Sequence, residues 1–310
     1  GAKAIGWSDF QQMIVMTVGL IAALLAAVWL LPGHVSFGDA VSLAHAAGRL
    51  NVITTTLDWN DRYNLWSGLI GGTFLALAYF GTDQSQVQRY LTGRSIAESR
   101  RGLLLNAVAK VPMQLFILFI GAMVFVFYVF QRPPLLFQQA ELDRVEAPSV
   151  AAAYAPIEQR YDAAFDARRE AADALVAARH TGDDTAWANG VAQYHQAQTD
   201  IEHARTDAAA LARSAGGTGG SDTNYIFLTF VTRHLPAGLV GLVLAVVFGA
   251  TMTAISAEMS ALATVSVVDI YKRHLYARGS DHHYVKASRA ATLFGGGYGA
   301  RAAAAAARYL

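Results

Sequence analysis

Two long apolar runs of this chain are joined by Phe80-Gly81-Thr82-Asp83-Gln84-Ser85-Gln86-Val87-Gln88-Arg89-Tyr90-Leu91. This stretch is polar and rich in amides, whereas 54% of the whole chain is hydrophobic and only 15% is charged. Charges that gather between long apolar runs are typical of a membrane protein rather than of a soluble domain. The stretch therefore predicts the end of one membrane-spanning helix and the approach to the next.

Four apolar runs predict membrane-spanning helices, because about 20 apolar residues are needed to cross the ~30 Å hydrocarbon core of a bilayer. The predicted spans are about 13–31, 65–82, 103–130 and 237–268. A fifth span begins near Ala287, but Gly295-Gly296-Gly297 and an alanine run interrupt it. That composition favours a truncated or frame-shifted tail over a designed helix.

Composition divides the chain into three parts. Residues 1–135 carry three spans, 136–222 form a soluble insert, and 223–310 contain an interfacial helix, the fourth span and the start of a fifth. The sequence from Leu135 to Asp222 contains 14 acidic residues and 7 Arg. Two alanine-rich, helix-favouring segments within it flank a turn, which predicts a helical hairpin.

A basic loop follows the opening stretch, and its arginines are Arg89, Arg94, Arg100 and Arg101. Short loops rich in Lys and Arg face the cytoplasm, and Lys272 and Arg273 follow the fourth span in the same way. The sequence therefore predicts a multi-pass protein of the plasma or inner membrane with the insert 136–222 outside. Contacts of the arginines with lipid headgroups are expected.

Several functions are excluded by what the sequence lacks. The 24 basic and 23 acidic residues give a net charge of +1, so there is no basic field of the kind that nucleic-acid binding needs. The chain has no Cys, and no phosphate-binding glycine loop precedes a helix. In the insert, His180, His195 and His203 lack the four-residue spacing of a helical metal site, which favours solvated positions. We therefore expect neither an enzyme nor an organic cofactor.

Three stretches, in order along the chain, resemble the sodium:solute symporter family. Gly1-Ala2-Lys3-Ala4-Ile5-Gly6-Trp7-Ser8-Asp9-Phe10-Gln11 is similar to the family segment G-x-K-A-V-x-W-T-D-x-x-Q. Thr82-Asp83-Gln84-Ser85-Gln86-Val87-Gln88-Arg89-Tyr90-Leu91 resembles T-D-Q-x-x-V-Q-R-x-L, and Val267-Val268-Asp269-Ile270-Tyr271-Lys272-Arg273 resembles the D-I/L-Y-K/R close. The resemblance covers nearly all of the chain outside the hairpin and the tail.

The resemblance implies an all-α membrane protein that forms part of an inverted-repeat helical bundle, as in amino-acid and sugar symporters, with the hairpin inserted. It also implies sodium-coupled uptake of a small organic solute by alternating access. If the chain is aligned with the family in this way, the span 13–31 is the last helix of the first repeat. The chain is then a fragment that lacks the first core helices.

For the sodium ion, the resemblance implies oxygen ligands on the fourth span. The family places two hydroxyl residues at the positions of Thr253 and Ala254, so one hydroxyl is kept and one is lost. Ser256 lies on the same helical stripe as Thr253. Glu258 is predicted to supply charge to the cation site or to carry a coupled proton. The alternatives are hydroxyls that bond their own backbone, and a Glu258 that pairs with Lys110 or lies nearer the interface.

For the solute, the resemblance implies contacts from Lys110, Tyr79 and Ala76. Lys110 matches a lysine that contacts substrate in sugar-transporting members, and the alternative is a structural ion pair. Tyr79 matches an aromatic that closes the cavity, but an aromatic at a helix end is also ordinary at a membrane interface. Ala76 stands at the position of an asparagine that binds sugar in one such member, and the alanine side chain cannot hydrogen-bond a sugar hydroxyl. An anionic or mixed-polarity solute therefore fits as well as a sugar.

Two other functions stay open at this point. Symporter-like helices can form the membrane module of a sensor, with signalling domains elsewhere in the protein. The external hairpin could instead dock a protein partner through its alanine-rich helices.

Overall fold

A computed structural model describes residues 2–51, 54–56, 64–91, 95–218 and 221–306 of the 310-residue chain. Within these ranges the regular structure is helical throughout, which agrees with the predicted all-α membrane protein. The helices are α1 (Ala2–Trp29), α2 (Phe37–Ala46), α3 (Leu65–Leu77), α4 (Gln84–Leu91), α5 (Ile96–Phe130), α6 (Gln139–Val145), α7 (Ala151–Thr181), α8 (Asp184–Ser214), α9 (Thr223–His234), α10 (Ala237–Thr264) and α11 (Asp281–Ala306). Two π-helical segments, Ala78–Thr82 and Val265–Leu275, continue α3 and α10.

In the part of the chain that the structure describes, four helical stretches are long and apolar enough to cross a membrane: Asp9–Trp29, Leu65–Thr82, Ile96–Phe130 and Ala237–Leu275. All four predicted spans are therefore present as helices. The third is longer than predicted, because α5 begins at Ile96 and takes Arg100 and Arg101 into its first turns. Of the other two arginines of the predicted loop, Arg94 lies outside the described residues and Arg89 belongs to α4.

The tail differs from the expectation. α11 runs without a break from Asp281 through Gly295-Gly296-Gly297 to Ala306. Two of these glycines face α10, since an added side-chain carbon would lie 3.5 Å from Leu262 at Gly295 and 2.5 Å from Met259 at Gly296. The glycines thus permit helix packing here, and the prediction that they end the helix was wrong.

Contacts group the chain into two compact units. The first contains Gly1–Met16, Thr54–Lys110 and Val243–Leu310, and the second contains Thr17–Ile53 and Val111–Leu242. The spans α1, α5 and α10 contribute to both units, while the hairpin belongs wholly to the second.

The hairpin consists of α7 and α8, which pack along their length through small residues. α7 ends at Gly182, whose φ of +69° is a left-handed conformation that glycine adopts without strain. Asp183 then starts α8 by accepting the backbone N–H groups of Thr185 and Ala186. The two helices approach closely at Gly190, where an added side-chain carbon would lie 2.9 Å from Leu175.

Polar contacts fix the hairpin to the C-terminal end of α5. The buried guanidinium of Arg168 donates to the carbonyl of Tyr128 at 2.7 Å, and the Tyr161 hydroxyl donates to the carbonyl of Pro133 at 3.1 Å. Arg132, just beyond α5, pairs with Asp162 and Glu158 on α7 at 2.6 and 3.1 Å. These contacts satisfy carbonyl groups that the end of a helix leaves without partners.

The hairpin also packs against α2 through a buried carboxylate. Asp39 is 1% exposed and accepts the backbone N–H and the hydroxyl of Ser36, which forms a capping box at the start of α2. It also pairs with Arg179 and lies 3.1 Å from His180, both at the end of α7. Burial raises the pKa of Asp39, but the hydrogen bonds from Ser36, Arg179 and His180 outweigh it and lower the pKa from 3.8 to about 2.

Two of the insert's histidines, which are exposed, contact α2. His180 contacts Asp39, and the Nε2 atom of His195 lies 3.1 Å from the carbonyl oxygen of Ala46. Both side chains are exposed, as expected for solvated helix positions, and their contacts with α2 could not be predicted because sequence spacing within one helix does not show what another segment brings to it. Among the described residues no group of three His, Cys, Asp or Glu side chains is placed to hold a metal ion.

The contact between α2 and the hairpin should depend on the charge of Asp39. Because its pKa is lower in the folded protein than in the unfolded chain, it stabilises the fold above about pH 4, and this contribution is lost as the pH falls towards 2. We expect Asp39→Asn to lower the free energy of unfolding by about 2 kcal/mol at neutral pH and to flatten its dependence on acid. Denaturant unfolding of the purified protein between pH 3 and 7 measures both effects.

Asp173→Asn is the matched control. Asp173 also contacts a histidine across the same interface, His34 at 2.9 Å, but its side chain is 41% exposed. An exposed pair contributes little, so this substitution should change the free energy of unfolding by less than about 1 kcal/mol. Equal effects of the two substitutions would contradict the role assigned to the buried carboxylate.

Candidate functional site

The predicted solute residues lie on neighbouring helices of the first unit. Tyr79 is on the π-helical segment after α3, and Lys110 is on α5. The Lys110 Nζ atom lies 5.7 Å from the centroid of the Tyr79 ring, within the range of a cation–π interaction. The Phe80 ring packs edge-on against the Tyr79 ring, with 5.0 Å between the ring centroids. The structure thus brings the lysine and the aromatic together.

Ala76 lies one helical turn before Tyr79 and is exposed. Its methyl group offers no hydrogen bond, so the polar part of this candidate site comes from Lys110 and the Tyr79 hydroxyl. α5 begins at Ile96, before the predicted start of this span near residue 103, so Lys110 lies 14 residues further along it, which corresponds to roughly 21 Å of helix.

The predicted sodium residues lie on α10. Thr253 is half-buried, and its hydroxyl donates to the carbonyl of Gly249 at 2.9 Å. The same oxygen accepts a hydrogen bond from the Nε2 atom of Gln12 on α1 at 3.2 Å. A hydroxyl oxygen has two lone pairs, so one remains for a cation. The alternative that Thr253 bonds its own backbone is therefore observed, and it leaves the oxygen able to act as a ligand.

Ser256 and Glu258 are exposed on α10. Glu258 forms no ion pair with any residue in the described part of the chain, and Lys110 lies over the Tyr79 ring instead. Pairing of Glu258 with Lys110, one of the alternatives, is thus not seen. The carboxylate stands within a candidate span and lacks a neutralising partner there.

Gln12 is the residue that sequence reasoning missed. It reaches Thr253 because Gly249, one turn earlier on α10, has no side chain, and a carbon added there would lie 3.1 Å from the Gln12 amide nitrogen. The sequence does show a polar amide near the start of an apolar span, and such an amide needs a hydrogen-bond partner when it is away from water.

The family model described as the sodium:solute symporter family matches residues 203–297. The match runs from the later part of α8 through α10 into α11, and it includes Thr253, Ser256 and Glu258. The resemblance to this family is confirmed. The family model matches fewer residues than the resemblance was predicted to cover. The matched residues include parts of the hairpin and of the tail, which the prediction had left out.

Curated relatives are sodium-coupled transporters. The human sodium/iodide cotransporter is 33% identical over 48% of this chain and 22% of its own length. Human sodium-coupled monocarboxylate transporter 1 is 33% identical over 35% of this chain and 17% of its length. The rabbit sodium-dependent multivitamin transporter is 29% identical over 46% and 21%.

The chain therefore spans about a fifth of the length of these relatives. The family and the relatives are transporters rather than enzymes, as predicted, and sodium is the coupling ion that they imply. No solved structure gives a significant match to the chain.

The contact between Gln12 and Thr253 should couple α1 to α10 energetically. In a double-mutant cycle with Gln12→Leu and Thr253→Val, we expect a coupling energy of about 0.5–1 kcal/mol, typical of a hydrogen bond between membrane helices. Unfolding of the purified protein by a denaturing detergent measures the four free energies.

Thr251→Val provides the control for this cycle. Thr251 lies two residues away, and its hydroxyl donates to the carbonyl of Val247 on its own helix. Its cycle with Gln12→Leu should give no coupling, and a coupling as large as that of Thr253 would contradict the specific contact.

Proposed function

We propose that this chain is part of a sodium-coupled symporter that takes up a small organic solute by alternating access. The observation that carries the proposal is the family match over α10, the helix that bears the candidate cation ligands. The contact of Lys110 with Tyr79 supports it further, since a lysine deep in an apolar helix is costly unless it serves a function.

The solute that we propose is a small anion, with a monocarboxylate as the best example. Lys110 supplies a positive charge, and the Tyr79 ring supplies an apolar face beside it. Ala76 leaves the site without the amide that a sugar hydroxyl would need. The names of the relatives, for iodide and monocarboxylates, agree with an anionic substrate.

For the coupling ion, we propose that Thr253 and Ser256 supply hydroxyl oxygens and that Glu258 supplies charge. Sodium is a hard cation and prefers oxygen ligands. A nearby cation would stabilise the unpaired carboxylate of Glu258. Cation binding would therefore be coupled to the conformation of α10. In the inverted-repeat arrangement the solute and ion sites lie near the membrane midplane.

We further propose that the protein lies in the plasma or inner membrane with the hairpin outside. The support is the sequence pattern, in which the basic residues between the second and third spans and those after the fourth belong on the cytoplasmic side. Here α5 would run outwards from Arg100 and Arg101 to the hairpin. The division into membrane parts 1–135 and 223–310 around the insert 136–222 belongs to the same proposal.

Uptake of a radiolabelled short-chain monocarboxylate into proteoliposomes that contain the whole protein of which this chain is part tests the function; the chain alone should not transport, because it lacks half of the cation site. An inward sodium gradient should drive uptake, whereas the same gradient of potassium should not. Glu258→Gln should raise the sodium concentration for half-maximal uptake and alter the pH profile, because the charge near the cation is removed. Asp269→Asn, at an exposed acidic residue in the π-helical continuation of α10, should change neither.

Uptake that is equal in sodium and potassium gradients would contradict sodium coupling as a whole. An unchanged sodium dependence and pH profile in Glu258→Gln would contradict only the role of this carboxylate. The two outcomes are distinguishable because the first concerns the unmodified protein.

Lys110 should determine the affinity for an anionic solute. We expect Lys110→Gln to raise the KM for the monocarboxylate about tenfold or more, since a charge-assisted contact is lost. Lys110→Arg should retain much of the affinity, and Arg101→Gln, about two and a half turns earlier on α5, should have no effect. If Lys110→Gln transports with unchanged KM, the lysine is a structural residue.

A further inference from the structure

Arg168 carries a buried charge that the hairpin alone does not neutralise. The residue is 4% exposed, and it donates to the amide oxygen of Gln198 at 2.9 Å and to the carbonyl of Tyr128 at 2.7 Å. Both acceptors are neutral, and the Nε atom is buried without a partner. The Tyr128 carbonyl lies in the last turn of α5, whose dipole offsets only part of a full charge.

A second buried donor without a partner lies on the adjacent helix. Tyr194 on α8 is 2% exposed, and its hydroxyl has no hydrogen-bond partner. Its hydroxyl feels the charge of Arg168, since burial raises the pKa of Tyr194 while Arg168 and Arg49 act to lower it. The neighbouring His195 contacts the carbonyl of Ala46, so this part of α8 lies against the end of α2.

Arg49 adds a second guanidinium to the same place. It follows α2 closely in the chain, and its Cζ atom lies 4.4 Å from the centroid of the Phe125 ring, one turn before Tyr128 on α5. Arg49 is exposed, and neither it nor Arg168 forms an ion pair with a carboxylate in the described ranges. Burial lowers the pKa of Arg168, and the positive charges of Arg205 and Arg49 lower it further, so Arg168 and Arg49 repel each other.

The two guanidinium groups have no anionic acceptor in the described ranges, and the buried hydroxyl of Tyr194, which can donate or accept, has no partner. A guanidinium can only donate, and a buried one without a counter-charge costs several kcal/mol. A water molecule could accept from Arg168 Nε and the Tyr194 hydroxyl, but it would leave both positive charges uncompensated. A small anion satisfies the donors and the charges together.

We propose that Arg168, Tyr194 and Arg49 form a binding site for a small monovalent anion between the hairpin, the end of α2 and the C-terminal part of α5. The buried Arg168 and Tyr194 provide the donors, and the exposed Arg49 provides the route from solvent. Occupation of this site holds the hairpin on α5 and α2, and it is separate from the solute residues of the first unit.

Thermal unfolding of the purified protein in a nonionic detergent tests the proposal with chloride as the probe. Chloride is exchanged for the bulky anion gluconate at constant sodium concentration and ionic strength. The melting temperature should rise with chloride and saturate, because the ligand binds the folded protein only. Arg49→Gln and Tyr194→Phe should each require about tenfold more chloride for the same rise, as expected for the loss of one charge-assisted contact.

Arg160→Gln is the control, since Arg160 lies on the same hairpin and pairs with Asp207 at 2.8 Å. Its chloride response should match that of the unmodified protein. The proposal is overturned if chloride has no effect on the unmodified protein, or if Arg49→Gln and Tyr194→Phe respond as it does.

A carboxylate of the chain itself is the competing occupant. Asp58 and Asp61 lie outside the described residues. If the unmodified protein shows no response but Asp58→Asn or Asp61→Asn creates one, the chain's own carboxylate occupies the site and the proposal is wrong.

Discussion

The end of a membrane-spanning helix leaves carbonyl groups without partners, and the end of α5 is where this constraint organises the second unit. Arg168 donates to the last turn of the helix, and Tyr161 donates to the segment just beyond it. Arg132 anchors the same corner by pairing with α7. The hairpin therefore packs against the end of α5, and each stabilises the other.

The two units obtain their stability in different ways. The hairpin combines an alanine-rich contact, closest at Gly190, with buried polar residues such as Asp39 and Arg168. The spans of the first unit expose apolar side chains such as Phe74 and Phe248 to the surroundings, as suits lipid. The hydrogen bond between Gln12 and Thr253 joins two of these spans by a polar contact.

Local features of the sequence predicted the helices well. The apolar runs and the alanine-rich segments at the hairpin required no knowledge of distant residues. Contacts between remote positions could not be predicted, since Gln12 and Thr253 are 241 residues apart and Asp39 and Arg179 are 140 apart. The early start of α5 at Ile96 was missed because charged residues were read as a loop, although they are good helix formers. The glycines of α11 were read as a break because their packing partners on α10 were unknown.

The π-helical segments at Ala78–Thr82 and Val265–Leu275 have a consequence for how such chains diverge. A π turn contains one more residue than an α turn, so it amounts to an insertion stored inside a helix. In the single-turn segment Ala78–Thr82, loss of one residue would restore the α form and leave the apolar helix α3 before it unchanged. The polar end of the second span is thus a place where the chain can change length without altering the apolar part of the span.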